Sequence, residues 1–119
     1  AVEQETTEEV RVIALDSIIE SQNPTRIDIL KMDVEGGELN ALKGAQSILA
    51  LHKPIILLEI VEAALKHQGA SREAVLDFLR SFGYRFLIFG PLGYPEEVAT
   101  VEVDGVNIIA LPRDCTITF

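Results

Sequence analysis

The stretch that decides the fold is Ile27-Asp28-Ile29-Leu30-Lys31-Met32-Asp33-Val34-Glu35-Gly36-Gly37-Glu38. Up to Val34 it is mostly apolar on both alternating faces, the pattern of a central strand covered on two sides. The Gly36-Gly37 pair breaks that strand. Behind it Leu39, Leu42, Ala45 and Leu49 recur at helical spacing, so a helix over 37–52 with one buried stripe is expected. Glu38 falls in its first turn, where a carboxylate suits the positive end of the helix dipole. Gly44, inside the same helix, costs about 1 kcal/mol relative to Ala, and a tight helix–sheet contact would account for it.

Working downstream, Pro54 opens a second apolar strand, Ile55–Ile60, as proline does at a strand's first residue. A loop or helical turn over 61–69 follows. Ser71 reads as the N-cap of a helix ending near Phe82, with Val75, Leu76, Leu79 and Phe82 inward and Gly83 as its left-handed stop. Residues 84–89 read as a third strand and Gly90-Pro91-Leu92-Gly93 as a turn. Residues 98–103 alternate, Asp104-Gly105 carries a hairpin signal, and 106–111 returns as a strand closed by Pro112. Upstream, Val10–Leu15 is β-branched enough for a short strand. Asp16 looks like the N-cap of a short helix that Asn23-Pro24 ends.

Helices between apolar strands imply right-handed crossovers and an α/β fold with a mainly parallel sheet, helices on its faces and an antiparallel last strand. The expected organisation is one domain over 1–119, with an acidic lead-in at 1–9, a short strand and helix at 10–26, and an α/β core at 27–112.

Composition narrows the function. The 119 residues are 48% hydrophobic and 24% charged, with 19 acidic and 10 basic side chains and a net charge of −9. Such an acid excess argues against a nucleic-acid partner, which needs clustered Lys and Arg. No apolar run approaches the ~18 residues of a membrane helix, and the acidic start shows no signal-peptide pattern, so a cytoplasmic protein without a membrane partner is expected. One cysteine, Cys115, excludes an internal disulfide and a thiolate zinc cage. The chain starts with Ala rather than Met, which reads as processing or as a piece of a longer polypeptide.

The run 27–38, followed by Leu42-Lys43-Gly44-Ala45, resembles the FkbM family of S-adenosylmethionine-dependent methyltransferases. Leu15-Asp16, Pro54–Glu59 and Phe82-Gly83-Tyr84 agree in order and spacing. The resemblance implies a partial Rossmann-like sheet of the class I methyltransferase kind, with 27–34, 55–60, 84–89 and 106–111 as its fourth, fifth, sixth and antiparallel seventh strands. It further implies transfer of a methyl group from S-adenosylmethionine to a hydroxyl of a small molecule or sugar. The glycine-rich cofactor loop belongs to the family's N-terminal half, and this chain has no Gly-x-Gly turn after an apolar strand. A non-catalytic half-domain acting as an association module is the alternative.

In open α/β sheets the site lies beyond the carboxyl ends of the strands. Asp33 and Glu35 follow one such end, and Glu59 and Glu62 lie at the next. Asp33, Glu35 and Glu59 are therefore the catalytic candidates, and Asp33 also a cofactor contact. Glu38, Glu62 and His67 are candidate substrate contacts. Crowded carboxylates repel unless a proton or cation neutralises them, and oxygen ligands alone would suit a divalent metal such as Mg²⁺. The plainer readings are helix capping for Asp33 and Glu35, pairing with Lys31 or Lys43, a Lys31–Glu59 structural pair, and a surface loop for His67. His52 reads as a helix-end dipole contact, and Tyr94 with the Gly90–Gly93 turn as a substrate mouth.

A fourth strand without its first-strand neighbour would leave Ile27, Ile29, Leu30 and Val34 on an apolar edge. Three closures are expected to compete: a second copy in a homo-oligomer, Val10–Leu15 folding back beside it, or the missing N-terminal half.

Overall fold

The computed structural model describes residues 6–116, so 1–5 of the acidic lead-in lie outside the described residues. In chain order the elements are α1 (Leu15–Gln22), β1 (Ile29–Met32), α2 (Glu38–Lys43), α3 (Gln46–Leu51), β2 (Ile55–Ile60), α4 (Glu62–His67), α5 (Arg72–Ser81), β3 (Tyr84–Phe89), β4 (Pro95–Val98) and β5 (Val106–Pro112). The strands make one mixed sheet in the order β1-β2-β5-β3-β4. β1 and β2 are parallel, with Leu30 opposite Ile56 and Met32 opposite Leu58. β5 lies antiparallel between β2 and β3, and β4 is antiparallel to β3. The expected mainly parallel sheet therefore needs correction. β1, β2 and β3 do share a direction, but the antiparallel last strand wedges between β2 and β3, leaving β1–β2 as the one parallel pairing among the described residues.

β2 and β3 occupy the predicted ranges because their punctuation is strong: Pro54 before β2, and Gly83 at φ 82° before β3. α5 starts as expected, with the Ser71 hydroxyl accepting a hydrogen bond from the Ala74 N–H at 3.1 Å. The single helix expected over 37–52 is instead two, broken at Gly44-Ala45. The break is long-range in origin. The Asp16 N–H donates to the Gly44 carbonyl at 2.8 Å, and the Asp16 carboxylate accepts from the Ser47 and Ile48 N–H groups at 2.9 and 3.1 Å. Asp16 thus caps α3, not its own helix. A Cβ on Gly44 would lie 3.3 Å from that of Ala14, so the glycine admits the incoming chain rather than the sheet.

Two further expectations are corrected. Val10–Leu15 forms no strand; α1 begins at Leu15 and packs on α3, so among the described residues no fold-back segment closes the β1 edge. Nor do residues 98–103 and 106–111 form a hairpin. The β3–β4 hairpin turns at Gly90–Gly93, where the Gly90 N–H donates to the Tyr94 carbonyl at 2.8 Å. Asp104 accepts from the Glu62 N–H at 2.7 Å and caps α4, while the Gly105 N–H donates to the Ile60 carbonyl. Asp104 is spent on helix capping and Gly105 on the end of β2.

The core sits on one side of the sheet. Met32, Ile56, Leu58, Ile60, Tyr84, Phe86, Ile108 and Ala110 point to one face and are covered by Leu42, Leu49, Leu65, Val75, Leu76 and Leu79 from α2–α5. The opposite face carries Ile29 (59% exposed), Lys31, Glu59, Asn107 and Phe89 (53% exposed), with Leu57 and Ile109 half-buried and Leu87 and Leu111 buried toward its other end. Helices on both faces were expected; among the described residues they cover one.

Candidate active site

The parallel β1–β2 register brings the site together. Met32 pairs with Leu58, so Asp33, just past the end of β1, comes beside Glu59, the next-to-last residue of β2, and the two line the same depression. The chain after Asp33 then turns sharply. Glu35 and Gly36 both take left-handed backbone angles, φ 45° and 98°, and the Gly37 N–H donates to the Val34 carbonyl at 3.1 Å. Gly36 is buried against α4. A Cβ there would stand 2.3 Å from the Ala64 carbonyl oxygen, so only glycine fits. A non-glycine residue held left-handed beside a candidate site, as Glu35 is, is strain of the kind that clusters at functional positions.

This turn delivers Glu38 to the start of α2. Its side chain is almost fully buried, at 3% exposure, and its Oε2 has no hydrogen-bond partner among the described residues. Asp33, Glu35, Glu38 and Glu59 line one depression of about 400 Å³, completed by Gly36, Val61 and Ala64. Among the described residues no basic side chain lines it. A larger depression of about 590 Å³ adjoins it on the open face and shares Asp33 and Glu59; Lys31, Leu57, Phe89, Asn107 and Ile109 are among the residues that line it. The pair is a carboxylate pocket opening onto an apolar shelf.

The other candidates sit elsewhere. The Glu62 carboxylate accepts from the Arg72 N–H at 3.1 Å and faces its guanidinium at 3.9 Å, tying α4 to the start of α5. His67 is exposed at the end of α4 and lines neither depression. Lys31 is exposed and makes no ion pair among the described residues, so the expected Lys31–Glu59 structural pair does not form. The His52 Nδ1 accepts from the Ile27 N–H at 3.2 Å, stitching the lead into β1 to the end of α3 rather than serving only the helix dipole. Tyr94 is exposed and lines neither depression. Among the described residues no group of three or more His, Cys, Asp or Glu converges closely enough to hold a metal ion. The divalent metal that oxygen ligands alone would suit finds no cage among the described residues.

Two lining residues escaped sequence reading. Asn107 stands directly opposite Glu59 in the β2–β5 ladder, and Phe89 ends β3 on the same side. A polar residue within the apolar run 106–111 was the available signal for Asn107.

The turn and its acids lie within a matched family segment: the Methyltransferase FkbM domain matches residues 2–86. This chain belongs to the FkbM methyltransferase family. The FkbM match covers Asp33, Glu35, Gly36, Glu38 and Glu59 and ends within β3, so Asn107 and Phe89 lie beyond it. No curated protein and no solved structure matches the chain. Among the described residues no helix is long and apolar enough to cross a membrane.

Proposed function

We propose that this FkbM chain forms the acceptor side of an S-adenosylmethionine-dependent methyltransferase that methylates a hydroxyl of a small molecule or sugar. The observation that carries the reading is the placement of Asp33 and Glu59 at adjacent parallel strand ends, with Glu35 and Glu38 in the same depression. The antiparallel last strand supports reading β1, β2, β3 and β5 as the fourth to seventh strands of a class I sheet.

S-adenosylmethionine, when bound, supplies a methyl group on a positively charged sulfur. A pocket of carboxylates complements that charge, and Asp33, which with Glu59 lines both depressions, is the residue we assign to it. The acceptor hydroxyl must lose its proton as it attacks. Asp33 or Glu59, open to solvent at the mouth, accepts that proton and passes it to water. The apolar shelf of Leu57, Ile109 and Phe89 excludes water from one side of the acceptor.

The same shelf lies on the uncovered sheet face, and we assign that face and the free β1 edge to further polypeptide, either the N-terminal half of a methyltransferase domain or a second copy. A purely associating half-domain is the second reading, and the uncovered face is what favours it.

The test is transfer of a labelled methyl group from S-adenosylmethionine to a panel of sugars by a polypeptide in which a glycine-rich strand–turn precedes this chain. Asp33→Asn should lower turnover at least a hundredfold. Saturable micromolar binding of S-adenosylmethionine to the 119-residue chain alone, read by calorimetry, would rule out the associating module. Turnover unchanged by Asp33→Asn would remove Asp33 from the chemistry.

A further inference from the structure

The buried carboxylate of Glu38 asks for an explanation that neither capping nor pairing provides. An ionised carboxylate taken out of water is costly unless hydrogen-bonded or paired. Glu38 is 3% exposed, its Oε2 has no partner, and it forms no ion pair among the described residues. It lines a depression whose other charged groups, Asp33, Glu35 and Glu59, are also acids. The site therefore presents unmet hydrogen-bond acceptors and an unopposed negative potential at one place. An anionic occupant, such as a phosphorylated or carboxylated sugar, would be repelled.

The acids also do not close round a point. Among the described residues no three of them converge closely enough to hold a metal ion, which favours an organic cation over a bare one. An aliphatic ammonium suits this lining: one N–H donates to the lone Glu38 oxygen and the others to a neighbouring carboxylate or to water, while the attached carbon frame rests on Val61 and Ala64. The depression's volume of about 400 Å³ admits a monosaccharide-sized molecule.

We propose that the methyl acceptor carries a primary amine, as an amino sugar or amino alcohol does, and that Glu38 anchors its ammonium group so that a neighbouring hydroxyl faces Asp33 and Glu59. This rests on the methyl-transfer reading above and names its substrate class. Glu38 here is a binding residue; no bond is made or broken at it.

The test is a titration of the ¹⁵N-labelled 119-residue chain, followed by amide chemical shifts, with glucosamine, glucose and S-adenosylmethionine as separate probes. Glucosamine should move the amides of Glu35, Gly36 and Glu38, and leave those of the distant acids Glu96, Glu97 and Glu102 in place. Glucose should move none of them. Glu38→Gln keeps the side chain's shape and removes its charge, and should weaken glucosamine binding tenfold or more. Glu35→Gln, at an exposed position, gives a second variant that keeps the fold and should weaken binding severalfold. Equal responses to glucose and glucosamine, a Glu38→Gln chain that binds as well as the parent, no response to glucosamine at all, or displacement of glucosamine by S-adenosylmethionine would each overturn the proposal. No turnover enters this measurement. A chain that binds glucosamine while the extended polypeptide transfers no methyl group refutes the methyl-transfer reading alone.

Discussion

The two faces of the sheet are made of the same strands and differ in almost everything else. On the helix side Ile56, Ile60 and Ala110 are fully buried, and Leu58, Phe86 and Ile108 nearly so. On the other side the residues directly between them in sequence, Leu57, Glu59 and Ile109, are half-buried or exposed, alongside Lys31, Asn107 and an uncovered Phe89. One face is a finished interior. The other is apolar enough to want cover but carries the polar groups of the candidate site. The lesson is that the interior and the candidate site are segregated by the two-residue period of the strand: alternate residues of β2 face one and then the other.

This contrast makes predictions of falling size. Leu76→Ala removes a fully buried side chain from the covered face and should cost about 2–5 kcal/mol in chemical denaturation. Phe89→Ala, despite deleting a larger side chain, should cost under about 1 kcal/mol. Comparable losses would erase the distinction between the faces. Gly36→Ala tests the turn between β1 and α2 that carries the acids of the candidate site. It places a Cβ against the Ala64 carbonyl at a left-handed φ, and should cost roughly 2–3 kcal/mol while shifting the amide resonances of Glu35 and Glu38. An unperturbed spectrum would mean that Gly36 does not set the pocket.

A subtler probe is Tyr84, buried on the helix side with its hydroxyl donating to the Pro54 carbonyl at 2.7 Å. Burial pushes this hydroxyl up from 10 to about 12. The fold holds the neutral form, so its contribution is complete below pH 10. It falls as pH rises from 10, and the loss levels off above about 12. Tyr84→Phe should cost about 1–2 kcal/mol at neutral pH, because the Pro54 carbonyl loses its partner, and should abolish that alkaline decline. A decline that persists in the variant would assign it to another group.

How much of this was legible beforehand follows from the range of the interactions. β2 and β3 were readable to the residue because proline and glycine bound them locally. The carboxylates Asp33, Glu35 and Glu59 were readable as strand-end residues, and parallel pairing of β1 with β2 then places two of them together. What escaped depends on distant partners. Asp16 caps a helix 31 residues downstream, and Asp104 caps one 42 residues upstream. Each looks local in sequence, as an N-cap of its own helix or a hairpin turn, and only the tertiary fold redirects it. The isolation of Glu38 Oε2 was hidden for the same reason. A first-turn glutamate is ordinarily solvated; here the Gly36 turn against α4 takes it out of water.

The most direct test of the central contrast is the solution mass of the chain by light scattering from about ten to several hundred micromolar, for the parent and for Ile29→Lys/Phe89→Lys. A face built to be covered predicts that the parent rises above its single-chain mass of 13.1 kDa with concentration, while the doubly charged variant stays at the single-chain value. A parent that remains monomeric across the whole range would contradict the account.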